Sequence, residues 1–354
     1  MIDRFIPSRG DLFGGLSAGV VALPLCLALG ALSGLGPEAG LYGAIALGIL
    51  ASLFGGTAVL VSGPTTPMTL VSAGVVAACV LPDGKLNLAL VVTIFLLTGA
   101  LQVLMGLLRL GSFIRYVPYP VISGFMSGIG VLIVIQQLFP MAGMTAPSSD
   151  AATIIARLHT LPARFAWPIA LLAAATLAII YLLPRLTRAV PASLVALVVV
   201  TACSLLFGVD APHIGAIPSG LPPFLMPELD FTRVGFVVTT ALELALLGAI
   251  DSLLGALLAD NLTKTHHASN RELIGQGIGN MAAALIGGLP GAGANIRTIV
   301  NIEAGGTTRL SGIIHGLFLL VVLLGASDVV QYIPNAVLAA ILVAAGLSCI
   351  DLRG

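Results

Sequence analysis

Two apolar stretches, one in each half of the sequence, are interrupted by glycine and proline. The first contains VSGPTTPMT at residues 61–69, and the second contains GGLPGAGANIRT at residues 287–298. The core of a bilayer offers no water to unpaired peptide groups, so non-helical backbone persists there only where protein buries it or where it lines a cavity. A matched pair of such breaks indicates a binding site near the membrane midplane.

The composition places the whole chain in a membrane. Of the 354 residues, 58% are hydrophobic and 8% are charged, and the formal net charge is zero. Each apolar stretch of about 20 residues is long enough to cross a hydrocarbon core about 30 Å thick. The balanced charge gives no reason to expect a nucleic-acid partner, so the lipid bilayer is the expected environment.

We predict an all-α polytopic membrane protein. If the N-terminus is cytoplasmic, basic residues in the short joints, such as Arg109, Arg185 and Lys264, fall on the inner side. That pattern predicts a bacterial inner-membrane protein. The twelve predicted spans lie near residues 12–33, 38–54, 57–80, 87–108, 118–139, 167–184, 191–208, 233–260, 273–288, 293–304, 309–330 and 333–350.

The two halves of the chain are predicted to be related by inversion. Each half reaches its broken segment at its third span, and the span at 233–260 is the seventh after the span at 12–33, an odd offset that reverses its direction through the membrane. An inverted seven-plus-seven arrangement needs fourteen spans, whereas we predict about twelve here. The fold class is therefore an inverted-repeat transporter fold with two broken half-helices, shortened to about twelve spans.

The broken segments predict an anion site. Thr65 or Thr66 would cap one half-helix, with Pro67 at its first helical position, and Asn295 would cap the other. Facing amino ends concentrate free N–H groups and positive dipole ends at one place. The alternative is a pair of proline kinks whose backbone is satisfied by neighbouring helices.

Charged residues in the second half predict the site's electrostatics. Asp251 lies in an apolar helix, where a carboxylate is costly unless it is used, and its alternatives are cation ligand, proton carrier, partner of Arg297 or plain structural pairing. Arg297 would add charge to the anion site or pair with a carboxylate. Glu243 would face an outer vestibule or the outer membrane surface. His315 is predicted to be a hydrogen-bonded helix contact rather than a proton relay.

No nucleophile with a base, phosphate loop or metal-ligand cluster is recognisable in the sequence, so we predict that the protein is not an enzyme. An intramembrane enzyme using Asp251 is the distant alternative. An anion channel of the same fold is the closer one.

Several motifs resemble the sulfate permease (SulP) family of anion transporters, and within it the BicA-type sodium-dependent bicarbonate transporters. The similarity runs along the whole chain in order. The motifs are RGDLFGGLSAG at 9–19, SGPTTPMT at 62–69, YPVISGFMSGIG at 119–130, ADN at 259–261, NRELIGQGIGN at 270–280 and GGLPGAGA at 287–294.

The resemblance implies one transmembrane domain over residues 1–354, in which a core moves against a gate in an elevator-like way, usually as a homodimer. Core spans would lie at about 12–108 and 233–330, and gate spans at about 118–208 and 333–350. The gate would be incomplete, and the two last spans and the cytoplasmic STAS domain of the family are not in this sequence.

The resemblance also assigns residues. Bicarbonate would bind at Thr65, with Thr66, Gly293, Ala294 and Asn295 around it. Sodium, as the coupling ion and the sole metal, would bind Asp251 with Gly293 and Asn295. Two threonines of the sodium pattern are Gly255 and Asn295 here. Asparagine still offers a carbonyl oxygen to a hard cation, whereas glycine offers no side chain, so proton coupling becomes a second hypothesis.

We therefore predict a secondary active transporter of a small inorganic anion, with sodium-coupled bicarbonate uptake as the first hypothesis and no cofactor beyond the coupling ion. The alternative substrate is sulfate or a dicarboxylate, coupled to protons.

Overall fold

The structure is a computed structural model, and its described part is almost wholly helical. It describes residues 8–81, 83–116, 119–144, 151–160, 166–187, 191–214, 222–228, 233–325 and 331–350. Residue 118 and residues 326–330, which two predicted spans include, lie outside that description. Its helices are α1 (Arg9–Ser33), α2 (Pro37–Phe54), α3 (Thr66–Ala78), α4 (Leu88–Leu107), α5 (Tyr119–Met141), α6 (Ala151–Ala156), α7 (Trp167–Leu186), α8 (Ala192–Leu206), α9 (Val234–Thr263), α10 (Ser269–Leu285), α11 (Asn295–Glu303), α12 (Arg309–Gly325) and α13 (Asn335–Cys349), with 3-10 segments at Leu110–Tyr116 and Leu158–Thr160.

Each of the twelve predicted spans overlaps one of these helices, and α6 is the additional short one. Within the described ranges, five helices are long and apolar enough to cross a membrane unaided: α1, α2, α4, α7 and α9. The half-helices α3 and α11, of 13 and 9 residues, begin inside the protein beside β1 and β2 and are too short to cross alone. Their length follows from the breaks in the sequence.

The two breaks meet in a two-stranded antiparallel pair. Strand β1 (Ser62–Gly63) precedes α3, and strand β2 (Ala292–Gly293) precedes α11. Ser62 pairs with Gly293, and Gly63 pairs with Ala292. The extended backbone of each break thus hydrogen-bonds with the extended backbone of the break in the other half of the chain. The predicted pair of broken half-helices is confirmed.

The predicted caps need correction. Thr65 is the N-cap of α3, but its side chain makes no capping hydrogen bond. The N-cap of α11 is Ala294, and Asn295, the predicted cap, is the first helical residue. The strand pair explains the shift, because Ala294 N donates to Val61 O at 2.9 Å and thereby fixes where the extended backbone ends. Free N–H groups remain in both first turns.

The described helices pack in two groups. In the first, α10 packs against α4 and α2, α12 packs against α2 and α1, and α9 packs against α4 and β2. In the second, α13 packs against α5 and α7, and α7 packs against α8. Helix α1 contacts both groups, since it also touches α13 and α8. The strand pair lies within the first group.

Asp11 ties the first helix to the second half of the chain. Its Oδ1 accepts hydrogen bonds from Thr307 N at 2.8 Å and Thr308 N at 2.7 Å, just before α12. Its other carboxylate oxygen completes a capping box with Ser8 at the start of α1. The Asp11 side chain is buried, although its partners are partly exposed.

We expect Asp11→Ala to destabilise the protein by about 2–4 kcal/mol, because charge-assisted hydrogen bonds and a helix cap are lost together. The measurement is the midpoint of thermal unfolding of the purified protein in detergent. Asp83→Ala is the matched control, since Asp83 is exposed and its pair with Lys85 at 3.9 Å is worth little. Equal midpoints for the two variants would contradict the role of Asp11.

The strand pair also depends on Gly291, where an added Cβ would overlap the Gly63 carbonyl oxygen. We expect Gly291→Ala to cost about 1–3 kcal/mol of stability, because the two backbones must separate. Gly74→Ala, in α3, is the control, because a Cβ there meets no atom within 4 Å. A Gly291→Ala protein that unfolds at the wild-type midpoint would show that the pairing tolerates separation.

Candidate functional site

The site is the point where the amino ends of α3 and α11 meet beside β1 and β2. Thr69 N is the first helical donor of α3, bonded to Thr65 O at 2.9 Å, and Thr298 N is the first of α11, bonded to Ala294 O at 3.0 Å. The N–H groups of Thr66, Met68 and Asn295 therefore lack intrahelical partners. Two positive helix ends converge on this place.

Thr65 and Thr66 are both buried at this point, at 9% and 8% exposure. Within the part of the chain that the structure describes, Thr65 Oγ1 has no hydrogen-bond partner. A buried hydroxyl without a partner is unusual and is free to donate to a ligand. The sequence-predicted substrate residues Thr65, Thr66, Gly293, Ala294 and Asn295 thus lie together around the strand pair.

Asp251 reaches this place from α9. It is 6% exposed, and its Oδ2 makes no hydrogen bond to any described residue. The Thr65 hydroxyl lies near this carboxylate without direct hydrogen-bond geometry, and the Arg297 guanidinium is close enough to act on its charge. One residue along, Ser252 Oγ accepts a hydrogen bond from Gly293 N at 3.2 Å, which anchors α9 to β2.

Gly255, one turn after Asp251, leaves room that Asn295 uses. A Cβ at Gly255 would lie 3.1 Å from Asn295 Oδ1 and 3.2 Å from Gly293 O. Asn295 Oδ1 itself has no partner among the described groups. The predicted coupling-ion residues Asp251, Gly293 and Asn295 are therefore neighbours, and together they offer a carboxylate, a carbonyl and an amide oxygen, the ligand type that hard cations prefer.

Arg297 is buried at 1% exposure in the first turn of α11. Its Nη2 donates to Pro64 O, across the strand pair, whereas Nε and Nη1 have no partner in the described ranges. The ion pairs found among the described residues do not include Arg297. Its charge therefore acts on the site without being cancelled by direct contact with a carboxylate.

Glu243 is not part of this group. It is exposed on α9, beside Leu242 and Leu246, which are exposed as well. Eight residues separate it from Asp251, about 12 Å along the helix. The structure thus separates the two predicted charge partners, Arg297 at the site and Glu243 away from it.

A polar stripe on α10 supports the site, and the sequence reasoning missed it. Glu272 Oε2 accepts from Gly56 N and Thr57 N, both at 2.8 Å. Gln276 Nε2 donates to Ser62 Oγ of β1 at 2.6 Å. Asn280 exchanges two hydrogen bonds with Gly291, before β2. The spacing of four residues in an apolar span was the signal that could have revealed this face.

Comparisons with known proteins agree with this architecture. Residues 9–354 match the Sulfate permease family. The chain is 46% identical over 346 residues to the "Bicarbonate transporter BicA" of Synechocystis sp., covering 97% of this chain and 61% of that protein. It is 43% identical over 352 residues to the BicA of Picosynechococcus sp., covering 97% of this chain and 62% of the relative.

Solved structures show the same fold. The transmembrane domain of a cyanobacterial bicarbonate transporter BicA has a TM-score of 0.94 at 44% identity, covering 98% of this chain and 91% of that one. Murine Slc26a9, described as an anion transporter in the inward-facing state, has a TM-score of 0.85 at 21% identity, covering 99% and 62%. The predicted fold class, an all-α polytopic inverted-repeat membrane fold, is confirmed.

The chain spans about three fifths of the length of the curated relatives it matches. Those relatives are transporters and not enzymes, in agreement with the prediction from the sequence. Along nearly all of its own length, both in sequence and in structure, this chain belongs to the sulfate permease family.

Proposed function

We propose that this chain is the membrane part of a secondary active transporter that takes up a small inorganic anion, bicarbonate first, together with sodium and driven by the sodium gradient. The observation that carries the proposal is the convergence of two half-helix amino ends, a buried arginine and a buried carboxylate beside one strand pair. The BicA relatives, which carry that substrate in their names, support the choice of anion.

The anion would bind to the free N–H groups of the two first turns and to the Thr65 hydroxyl. Both helix dipoles and Arg297 favour negative charge there. Because Pro64 O accepts only one guanidinium nitrogen, the remaining donors of Arg297 keep the local potential positive. The site therefore selects its ligand more by negative charge than by shape.

Asp251 explains why a cation is needed. A carboxylate close to an anion site repels the anion unless a cation binds between the two or a proton neutralises the carboxylate. The carbonyl oxygen of Gly293 and the amide oxygen of Asn295 complete a cation site beside Asp251. Sodium binding there would lower the cost of bringing an anion into a buried site, which is the physical basis of symport. Protonation of Asp251 is the alternative that achieves the same neutralisation.

The movement we propose is elevator-like. The first packing group, built from the spans at about 12–108 and 233–330, would carry the site as a rigid core. The second, from the spans at about 118–208 and 333–350, would act as the gate. Separate packing of the two groups supports this division. A homodimer in the bacterial inner membrane with a cytoplasmic N-terminus is the assembly we propose with it.

The test is uptake of radiolabelled bicarbonate into proteoliposomes that contain this chain. We expect uptake that an inward sodium gradient stimulates, and that Asp251→Asn loses the stimulation because the cation loses its carboxylate. Glu243→Gln, on the exposed face of the same helix, is the control and should behave as wild type.

Other outcomes would redirect the assignment. Sodium-independent uptake driven by a proton gradient, with sulfate as an effective competitor, would favour the alternative suggested by relatives such as the "Putative sulfate transporter YvdB" of Bacillus subtilis, 37% identical. Large anion currents without saturable uptake would indicate a channel. Full sodium stimulation in Asp251→Asn would remove Asp251 from coupling.

Thr65→Ala tests the anion site separately. We expect the KM for the anion to rise about three- to tenfold, the loss typical of one neutral hydrogen bond, with little change in the maximal rate. Thr239→Ala, whose hydroxyl bonds Gly235 O on the exposed face of α9, is the matched control. An unchanged KM in Thr65→Ala would place the anion elsewhere.

A further inference from the structure

The seam between α2 and α12 holds buried polar atoms that the proposed transport site does not use. His315, on α12, is 0% exposed, and Ser52, on α2, is 4% exposed. Neither ring nitrogen of His315 nor the hydroxyl of Ser52 has a hydrogen-bond partner in the described part of the chain. The predicted hydrogen-bonded helix contact is therefore a contact without a direct hydrogen bond.

These atoms and Arg297 lie against successive turns of α2. A Cβ at Gly63 would overlap Arg297 Nη1 and lie 3.4 Å from Ala44 Cα, which places the guanidinium at the turn of Ala44. A Cβ at Gly48 would lie 2.7 Å from His315 Nδ1. Ala44 and Gly48 are one helical turn apart, about 5–6 Å.

Ser52 extends the row by one more turn. A Cβ at Gly312, one turn before His315 on α12, would overlap Ser52 Oγ. The row therefore runs Arg297, His315, Ser52 along one face of α2. The three groups touch α2 at positions one helical turn apart and make no direct hydrogen bond to one another, an arrangement in which one water molecule can bridge neighbouring polar groups.

The donors and acceptors in the row complement one another. Arg297 offers the N–H groups at Nε and Nη1, and these can only donate. A neutral histidine offers one acceptor and one donor, and serine offers both. Buried polar atoms are almost always hydrogen-bonded, and internal waters typically make about three bonds to groups of this kind. Five of the buried side-chain atoms that lack a hydrogen-bond partner among the described residues therefore lie in this one row.

We propose that this seam is an internal water site that bridges Arg297 to His315, and that His315 is thereby a positioning residue for the guanidinium at the anion site. The inference rests on the proposed function insofar as Arg297 attracts the transported anion. A neutral imidazole satisfies the arginine's donors and leaves its positive charge intact. A carboxylate in the same place would satisfy the donors and cancel the charge.

The transport test compares His315→Gln, His315→Leu and His315→Glu in proteoliposomes. His315→Gln keeps a neutral acceptor and should stay within about threefold of the wild-type KM, whereas His315→Leu should raise the KM about tenfold with the maximal rate preserved. His315→Glu should weaken anion affinity further, because it cancels the charge. Ser204→Ala, a buried unpartnered serine on α8, is the control and should be unchanged.

Two results would overturn the proposal. One is a wild-type KM in a correctly folded His315→Leu protein. The other is a KM in His315→Gln that rises as much as in His315→Leu. The site would then require the shape of the imidazole and not a neutral hydrogen-bond acceptor.

A second measurement does not depend on transport or on folding of a variant. Radiolytic hydroxyl-radical labelling of the intact protein modifies a buried side chain only where water lies beside it. We expect His315 to be labelled despite its zero exposure, and Phe95, buried at 1% in an apolar cluster, to be spared. Labelling of neither would refute the water site. If the wild type takes up no anion, the proposed function fails, and this measurement still decides on the water.

Discussion

The pairing of β1 with β2 is the interaction on which the rest of the structure depends. Each half-helix begins inside the membrane, where extended backbone has no water to satisfy it, and four residues from distant parts of the chain satisfy one another. Close backbone approach is a precondition, which is why Gly291 lies against Gly63. The polar stripe on α10 then fixes both strands from one side, through Gln276 and Asn280.

That constraint also determines the electrostatics. Because the strand pair holds the amino ends of α3 and α11 together, Arg297 in the first turn of α11 is held at the site. Its guanidinium donates a hydrogen bond across the strand pair to Pro64 O. Asp251 approaches from α9 without forming an ion pair with it. Two buried, opposite and separated charges are stable as a set only if other groups or bound ions compensate each of them. A site with this pattern is suited to binding an anion and a cation together.

Local patterns in the sequence predicted much of this architecture. Hydropathy was sufficient to locate a helix in each of the twelve predicted segments, and Gly-Pro clusters at 61–69 and 287–298 were sufficient to locate the breaks. Among the candidate site residues, Asp251 was singled out because a carboxylate is expensive in an apolar span, and Thr65 and Asn295 because they were predicted to cap the half-helices at the breaks. Long-range geometry was out of reach: the shift of the α11 cap from Asn295 to Ala294 is caused by a hydrogen bond to Val61, more than 200 residues away. The role of Glu272 was missed for the same reason.

The separation of the two strands along the chain has a consequence for biogenesis. Ser62 leaves the ribosome long before Gly293, so the first half-helix enters the bilayer with backbone groups that its final partner cannot yet satisfy. During that interval the segment must be shielded by the insertion machinery, by neighbouring spans or by a partial water defect. Closure of the strand pair is then a late event of high contact order, and the binding site is among the last parts of the molecule to form. Cellular quality control that recognises exposed polar backbone in the membrane would therefore detect directly whether the strand pair, and with it the binding site, has formed.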